Sequence, residues 1–357
     1  MSIDGTAARR FALAAMLALG APCGVAAINA DVLAFPYAEG GYRSHPDDPA
    51  ADNDWSGELG MDLFGTLNGG RFTSLAEVLI TTEEQDVERL QFGWEMGQNT
   101  LWLGRFHNPV GYWNTECHHG AYLQSTIRRP GLAAFEDDSG LVPMHATGFL
   151  LQGSRSIGRR GLSYDLAVGL GPGYDSAAKS LDALNILRPG NGDHDYLGTV
   201  RLTYESEPAG NNRVGVFASA VNIPVADTAS DQFKQRTIGI FAAGDISMVR
   251  LIAELQYVRT RLERSAEPGT ASMAGGYVQF EYGLGADWDV YGRAEKLWEK
   301  AGPSYLELVP EATEAGLIGG IRYRFLGKNQ LKLEIGKRQD PEDRHSEILL
   351  EWSAVVP

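Results

Sequence analysis

Apolar and polar residues alternate singly along most of this chain. In 162–170, Leu162, Tyr164, Leu166, Val168 and Leu170 fall on one face, and Ser163, Asp165, Ala167 and Gly169 on the other. In 196–205, Tyr196, Gly198, Val200, Leu202 and Tyr204 oppose Leu197, Thr199, Arg201, Thr203 and Glu205. The same division runs through 277–284 and 317–325. There Val278, Phe280, Tyr282 and Leu284, and then Leu317, Gly319, Ile321, Tyr323 and Phe325, form the apolar side. A period of two over such lengths predicts β-strands with one apolar face. No stretch longer than a loop has helical periodicity. Apart from an interrupted apolar run near the start, no run of ~18 apolar residues exists to form a helical membrane span.

A soluble sandwich and a barrel in lipid share this period, but in the barrel the apolar face points outward. Three features favour lipid. Aromatic residues close the apolar runs, as Tyr196 and Tyr204 do at the two ends of one strand and Tyr323 and Phe325 at the end of another. In 249–262, Val249, Leu251, Ala253, Leu255 and Tyr257 share a face before Arg259, and this apolar stretch matches the ~9–11 residues of a tilted membrane strand. A charge at mid-bilayer costs about 2–4 kcal/mol and almost nothing at the interface, so Arg259 marks where that face leaves the lipid. The opposite faces carry Arg201, Glu205, Glu254, Arg322, Arg324, Lys332 and Glu334, which a water-filled lumen accommodates.

The spacing of the connections points the same way. Short links at 68–70, 98–99, 156–161, 207–212, 244–247, 285–287 and 327–328 alternate with longer ones. The longer ones fall at 38–54, 84–88, 107–143, 173–194, 223–235, 263–271, 298–314 and 340–345. Bacterial barrels have tight periplasmic turns and long external loops. About 15 segments lie between these links, from 55–67 to 346–355, and 30–37 supplies one more strand ahead of them. The expectation is an all-β fold: a transmembrane antiparallel up-and-down β-barrel of about 16 strands, with 14 as the alternative and both termini periplasmic.

The first residues read as an export signal. Arg9 and Arg10 precede the apolar stretch Phe11–Leu19, and Val25-Ala26-Ala27 fits the small-x-small rule, so cleavage is expected after Ala27 and the barrel over 28–357. Removing 1–27 takes Asp4, Arg9 and Arg10, and the formal charge of −15 becomes about −16. Such acidity argues against a nucleic-acid partner and suits a cation-preferring pore. Cys23 also departs, which leaves Cys117 without an intramolecular disulfide partner.

The longest connection, 107–143, is chemically the most unusual. It begins His107-Asn108-Pro109-Val110-Gly111-Tyr112-Trp113-Asn114-Thr115-Glu116-Cys117-His118-His119-Gly120 and ends Phe135-Glu136-Asp137-Asp138-Ser139-Gly140-Leu141-Val142-Pro143. A segment so rich in aromatic residues, Pro and Gly is expected to pack against the barrel lumen. Gly104-Arg105-Phe106-His107 through Asn114-Thr115, with His118-His119-Gly120 and Phe135-Glu136-Asp137, resembles porin-like outer-membrane proteins of Gram-negative bacteria, the general and phosphate-selective-type porins. The resemblance is specific over about 40 residues and architectural elsewhere. It implies that the third external loop folds into the lumen and constricts a passive channel for small hydrophilic solutes or ions. It also implies outer-membrane lipid as partner, no enzymatic step, and a homotrimer as the assembly to test. On that reading Glu136, Asp137 and Asp138 form a negative constriction, which Arg128 and Arg129 oppose.

Other chemistry is available to the same residues. His107, His118, His119 and His145, with Glu116 and Cys117, are suitable donors for a metal ion, although adjacent histidines match no familiar ligand spacing. A plugged structural or metal-binding barrel is therefore an alternative to a channel. His345-Ser346 and Glu347 form the one compact grouping outside this segment that could suggest a barrel-embedded hydrolase. Gly173 followed by Ala178-Lys179-Ser180 falls short of a phosphate-binding loop, because Ala178 stands where glycine is required.

Overall fold

A computed structural model describes residues 28–46, 53–117, 120–136, 140–186, 193–206, 211–226, 228, 231–263, 268–302 and 306–357. The expected cleavage after Ala27 lies outside these residues. Seven strands come first: β1 Asn29–Ser44, β2 Asp54–Gly69, β3 Phe72–Thr81, β4 Gln85–Met96, β5 Asn99–His107, β6 His145–Ile157 and β7 Arg160–Leu170. A small two-stranded pair follows, β8 Gly173–Asp175 and β9 Ser180–Asp182. Then come β10 Tyr196–Glu205, β11 Arg213–Pro224, β12 Gln232–Ile246, β13 Val249–Glu263 and β14 Gly269–Gly283. β15 Trp288–Ala301, β16 Ala315–Phe325, β17 Asn329–Gln339 and β18 Arg344–Ala354 complete the series.

All except β8 and β9 pair with their neighbours to form a closed antiparallel barrel of 16 strands. Closure is made by β1 against β18, from Tyr37 opposite Ser353 to Ser44 opposite Ser346. Turns as short as residues 97–98 and 158–159 join strands at one rim. Gly97 and Gly158 there take φ of 69° and 66°, the left-handed conformation that two-residue hairpin turns of the right twist demand. The other rim carries 45–53, 82–84, 108–144, 171–195, 225–231, 264–268, 302–314 and 340–343. Several strands outrun their apolar alternation. β1 continues through 38–44, expected as loop, because backbone pairing persists where the side chains turn polar.

The two faces invert those of a soluble protein. Val200, Leu202, Leu255, Val278 and Phe280 are exposed on the outside, while Arg201, Thr203, Gln256, Gln279, Lys332 and Glu334 are buried inside. Apolar area left in water costs roughly 25 cal/mol per Å², so a continuous belt of this kind requires a lipid surround. Aromatic pairs mark its edge near the short-turn rim. Phe72 meets Trp94 edge-on at 4.3 Å, and Trp288 stacks on Tyr323 at 4.4 Å. Arg259 is exposed beyond Tyr257, where the apolar face of β13 ends. Ile335→Arg is expected to lower unfolding free energy in lipid vesicles by about 2–4 kcal/mol, with little change for Arg259→Leu, as measured by denaturant titration.

Candidate functional site

The third connection at the loop-bearing rim, 108–144, is closed at its neck by backbone and amide hydrogen bonds. Asn108 N–H donates to the Met144 carbonyl at 2.8 Å, and the Asn108 amide donates to the Pro143 carbonyl at 2.8 Å. The Asn114 amide reaches the Asn108 and Met144 carbonyls at 2.8 and 2.9 Å. One helical turn, Trp113–Glu116, follows, with Tyr112 and Trp113 fully buried. Gly111 has φ of 68°, which favours glycine, and a Cβ there would crowd the Glu254 carboxylate, so glycine eases this approach to the wall.

A segment with so little secondary structure must find partners for its own backbone. Inward side chains of β13–β17 provide them. Glu254 accepts from Tyr112 N at 2.8 Å, Glu295 from Gly131 N at 2.6 Å, and Glu334 from Ile127 N and Arg128 N at 2.9 and 3.1 Å. Arg293 donates to the Arg128 and Arg129 carbonyls, each at 2.9 Å, and Lys332 to the Ala121 carbonyl at 2.7 Å. The inner-face charges Glu254, Lys332 and Glu334 are thus committed to this segment rather than to water. Arg322 and Arg324 pair with Asp289 near the short-turn rim.

Two further connections pack inward, which the sequence reading did not anticipate. Tyr174 and Leu181 from 171–195, and Leu306 and Val309 from 302–314, are buried in one apolar cluster with Leu132, Leu141 and Met144. The Tyr174 hydroxyl donates to the Leu308 carbonyl at 2.7 Å. Their signal in the sequence is apolar residues inside connections otherwise rich in Gly, Pro and Asp.

The wall from β1 to β4 is different. It borders two adjoining cavities, of about 620 and about 650 Å³, which share Leu79, Thr81, Glu83, Glu84, Glu88 and Phe135. The first carries Glu39, Glu58, Asp62, Glu77, Glu83, Glu84, Glu88 and Glu351 against Arg43, Arg128, Arg129 and Arg338, a two-to-one excess of acid. Arg128 spans the gap to Glu347 at 3.2 Å and Glu39 at 3.6 Å. Arg129 lies over the Phe135 ring at 3.6 Å and donates to the Ala133 carbonyl. Glu39 and Glu347, which face Arg128, belong to the wall.

Glu136 borders the second cavity. It is buried at the neck, where it accepts from Met144 N and His145 N at 2.6 Å and meets His145 Nδ1 at 2.8 Å. Burial alone would raise its carboxyl, but the hydrogen bonds and contact with His145 hold it below the usual range. Asp137, Asp138, His118 and His119 lie outside the described residues. His107 and His145 are brought together as cross-strand partners, with rings 5.4 Å apart. Glu88 joins them, and the three donor atoms lie within 4.8 Å of one another. Glu88 falls in 84–88, which the sequence pattern predicts as a connection. The β3–β4 register slips between Glu77 and Leu79, so Val87, Glu88 and Arg89 are all buried in a bulge that breaks the period of two.

His345 points inward and contacts Asp343 at 3.0 Å, while Ser346 occupies the next, opposite-facing strand position. Lys179 is more than half exposed and sits 3.9 Å from Glu342.

No protein-family model matches the sequence, and no curated protein matches it significantly. Solved structures do match the fold. An anion-selective porin from Comamonas acidovorans superposes with a TM-score of 0.63 at 12% identity, covering 92% of this chain and 100% of that one. The outer-membrane channel DcaP of Acinetobacter baumannii gives 0.61 at 11% identity, covering 92% and 97%. OmpT of Vibrio cholerae, described in a trimer form, gives 0.55 at 10% identity, covering 92% and 100%. The fold is that of outer-membrane porins.

Burial pushes the Cys117 thiol up to about 12. Alkylation of Cys117 at pH 8 is therefore expected to run at least ~100-fold slower in the folded barrel than in urea, followed by mass spectrometry. Equal rates would place the segment in open solvent.

Proposed function

We propose that this protein is an outer-membrane porin, a passive diffusion channel for small hydrophilic solutes or ions that prefers cations. The observation that carries this reading is the division of the inner wall. One side is bound to 108–144, and the other borders adjoining cavities with excess acid. Solutes pass along the β1–β4 side, between Arg128 and Arg129 on the loop and the carboxylates of the wall. Fixed charges at a narrow, partly dehydrated place select ions strongly. The constriction thus sets Arg128 and Arg129 of the loop against an acidic wall, with Glu136 holding the loop's neck.

On this reading the short-turn rim and both chain ends are periplasmic, and lipid surrounds most of the belt. The outer face of β10–β15 supports a homotrimer. Gly198, Ala218, Ala220, Ala242, Ala253 and Gly276 line shallow grooves there, where another copy can approach closely. The apolar packing of 108–144 against 171–195 and 302–314 favours a second reading, a barrel plugged by its own connections.

Planar-bilayer recording separates the two. Purified protein is expected to give reproducible conductance steps with cations favoured over anions, and silence from folded protein supports the plug. A combined Glu58→Gln, Glu83→Gln and Glu84→Gln variant should lower the cation-to-anion permeability ratio severalfold. Shortening 112–135 should enlarge the conductance step.

A further inference from the structure

We propose that Glu88, His107 and His145 form a buried binding site for one divalent transition-metal ion of the zinc class, at the neck of 108–144. The site does not depend on the channel reading, since an open or a plugged barrel could hold it. His107 is the last residue of β5, His145 the first of β6, and the two are direct partners across the ladder. Glu88 comes from the bulge of β4. All three are more than nine-tenths buried, and their donor atoms lie within 4.8 Å of one another.

The surroundings orient the donors. Glu136 holds His145 Nδ1 at 2.8 Å, which turns Nε2 toward Glu88, 2.8 Å away. A carboxylate behind a ligating imidazole is the usual device for fixing its tautomer and raising its basicity. Glu88 Oε2 is buried and accepts no aligned hydrogen bond among the described residues.

Local charge leaves room for a cation. Arg89 pairs with Glu77 at 2.6 Å, and Arg105 with Asp86 at 2.8 Å. Glu88 and Glu136 remain, two carboxylates around two imidazoles, which one divalent ion balances.

Two imidazoles and one carboxylate suit zinc, cobalt or nickel rather than magnesium or calcium, which take oxygen ligands. Donors on one zinc sit ~2.0–2.2 Å from the ion, hence about 3.3 Å from each other. The 2.8 Å Glu88–His145 contact would open by about half an ångström, within the reach of side-chain rotation. The cavity of about 650 Å³ bordered by Glu88, Glu136 and His145 gives the ion access and supplies water for a fourth position. An ion there joins β4 to both ends of the loop.

The test uses the full chain, folded in detergent, stripped with chelator and titrated with Co²⁺ and then Zn²⁺. One ion per chain is expected, with visible cobalt bands of a low-symmetry site that zinc abolishes. Glu88→Gln and His107→Gln should each weaken binding by at least ~100-fold, beyond the ~10–100-fold typical of losing a partner behind a ligand. The double variant His118→Ala, His119→Ala should bind as the parent does. Heat-dependent gel mobility reports folding of each variant. Less than ~0.1 equivalent bound by the folded parent, without cobalt bands, overturns the proposal whatever the variants do. Binding that survives Glu88→Gln and His107→Gln but disappears in the double variant overturns it equally.

Discussion

A backbone folded inside a barrel has to find hydrogen-bond partners there, and this requirement organises the interior. A single unmade bond on a buried donor or acceptor costs ~1–3 kcal/mol. The connection 108–144 pairs its own backbone at the neck and in short turns, and between these the wall supplies further partners. It does so with ionised groups, whose hydrogen bonds are roughly twice as strong as neutral ones. Glu254, Glu295 and Glu334 take its N–H groups, and Arg293 and Lys332 take its carbonyls. The wall charges are in turn satisfied by the loop, so neither partner can be removed without stranding the other.

From that mutual commitment follows the asymmetry of the lumen. The β13–β17 side has its charge absorbed by backbone, and on the β1–β4 side carboxylates in excess of arginines border the cavities. The loop also brings Arg128 across to Glu39 and Glu347. A single segment therefore both fills one half of the barrel and sets the electrostatic character of the other.

Much of this was legible in the sequence wherever local rules suffice. The alternation of Val200, Leu202 and Tyr204 with Arg201 and Thr203 predicts two faces, and the alternation of connection lengths predicts the strand number. Strand ends were less legible, because β1 pairs with both neighbours through Glu39 to Arg43 after its apolar alternation stops. The candidate site was half visible. His107 and His145 stood out by residue type, but nothing local reveals that 107 and 145 face each other across a ladder. Glu88 was hidden by the bulge at Val87–Glu88, where an extra residue shifts the register. The charge of Glu136 is visible locally, whereas its burial beside His145 depends on contacts between the two ends of the segment.

The seam between β1 and β18 carries a consequence for assembly. It pairs the first strand with the last, and Val356 bonds to Ala34 beyond them. The anchors of 108–144 on Glu334 and Lys332 span more than two hundred residues of sequence. Contacts so distant along the chain form late, because the intervening polymer must first be brought into place. The final hairpin has to arrive before the cylinder can shut, and the inner segment can reach its last moorings only then. The shape of the lumen is therefore settled only by strands that lie far apart in the chain, and a fragment without β17 and β18 would lack both the wall and the moorings of its inner segment.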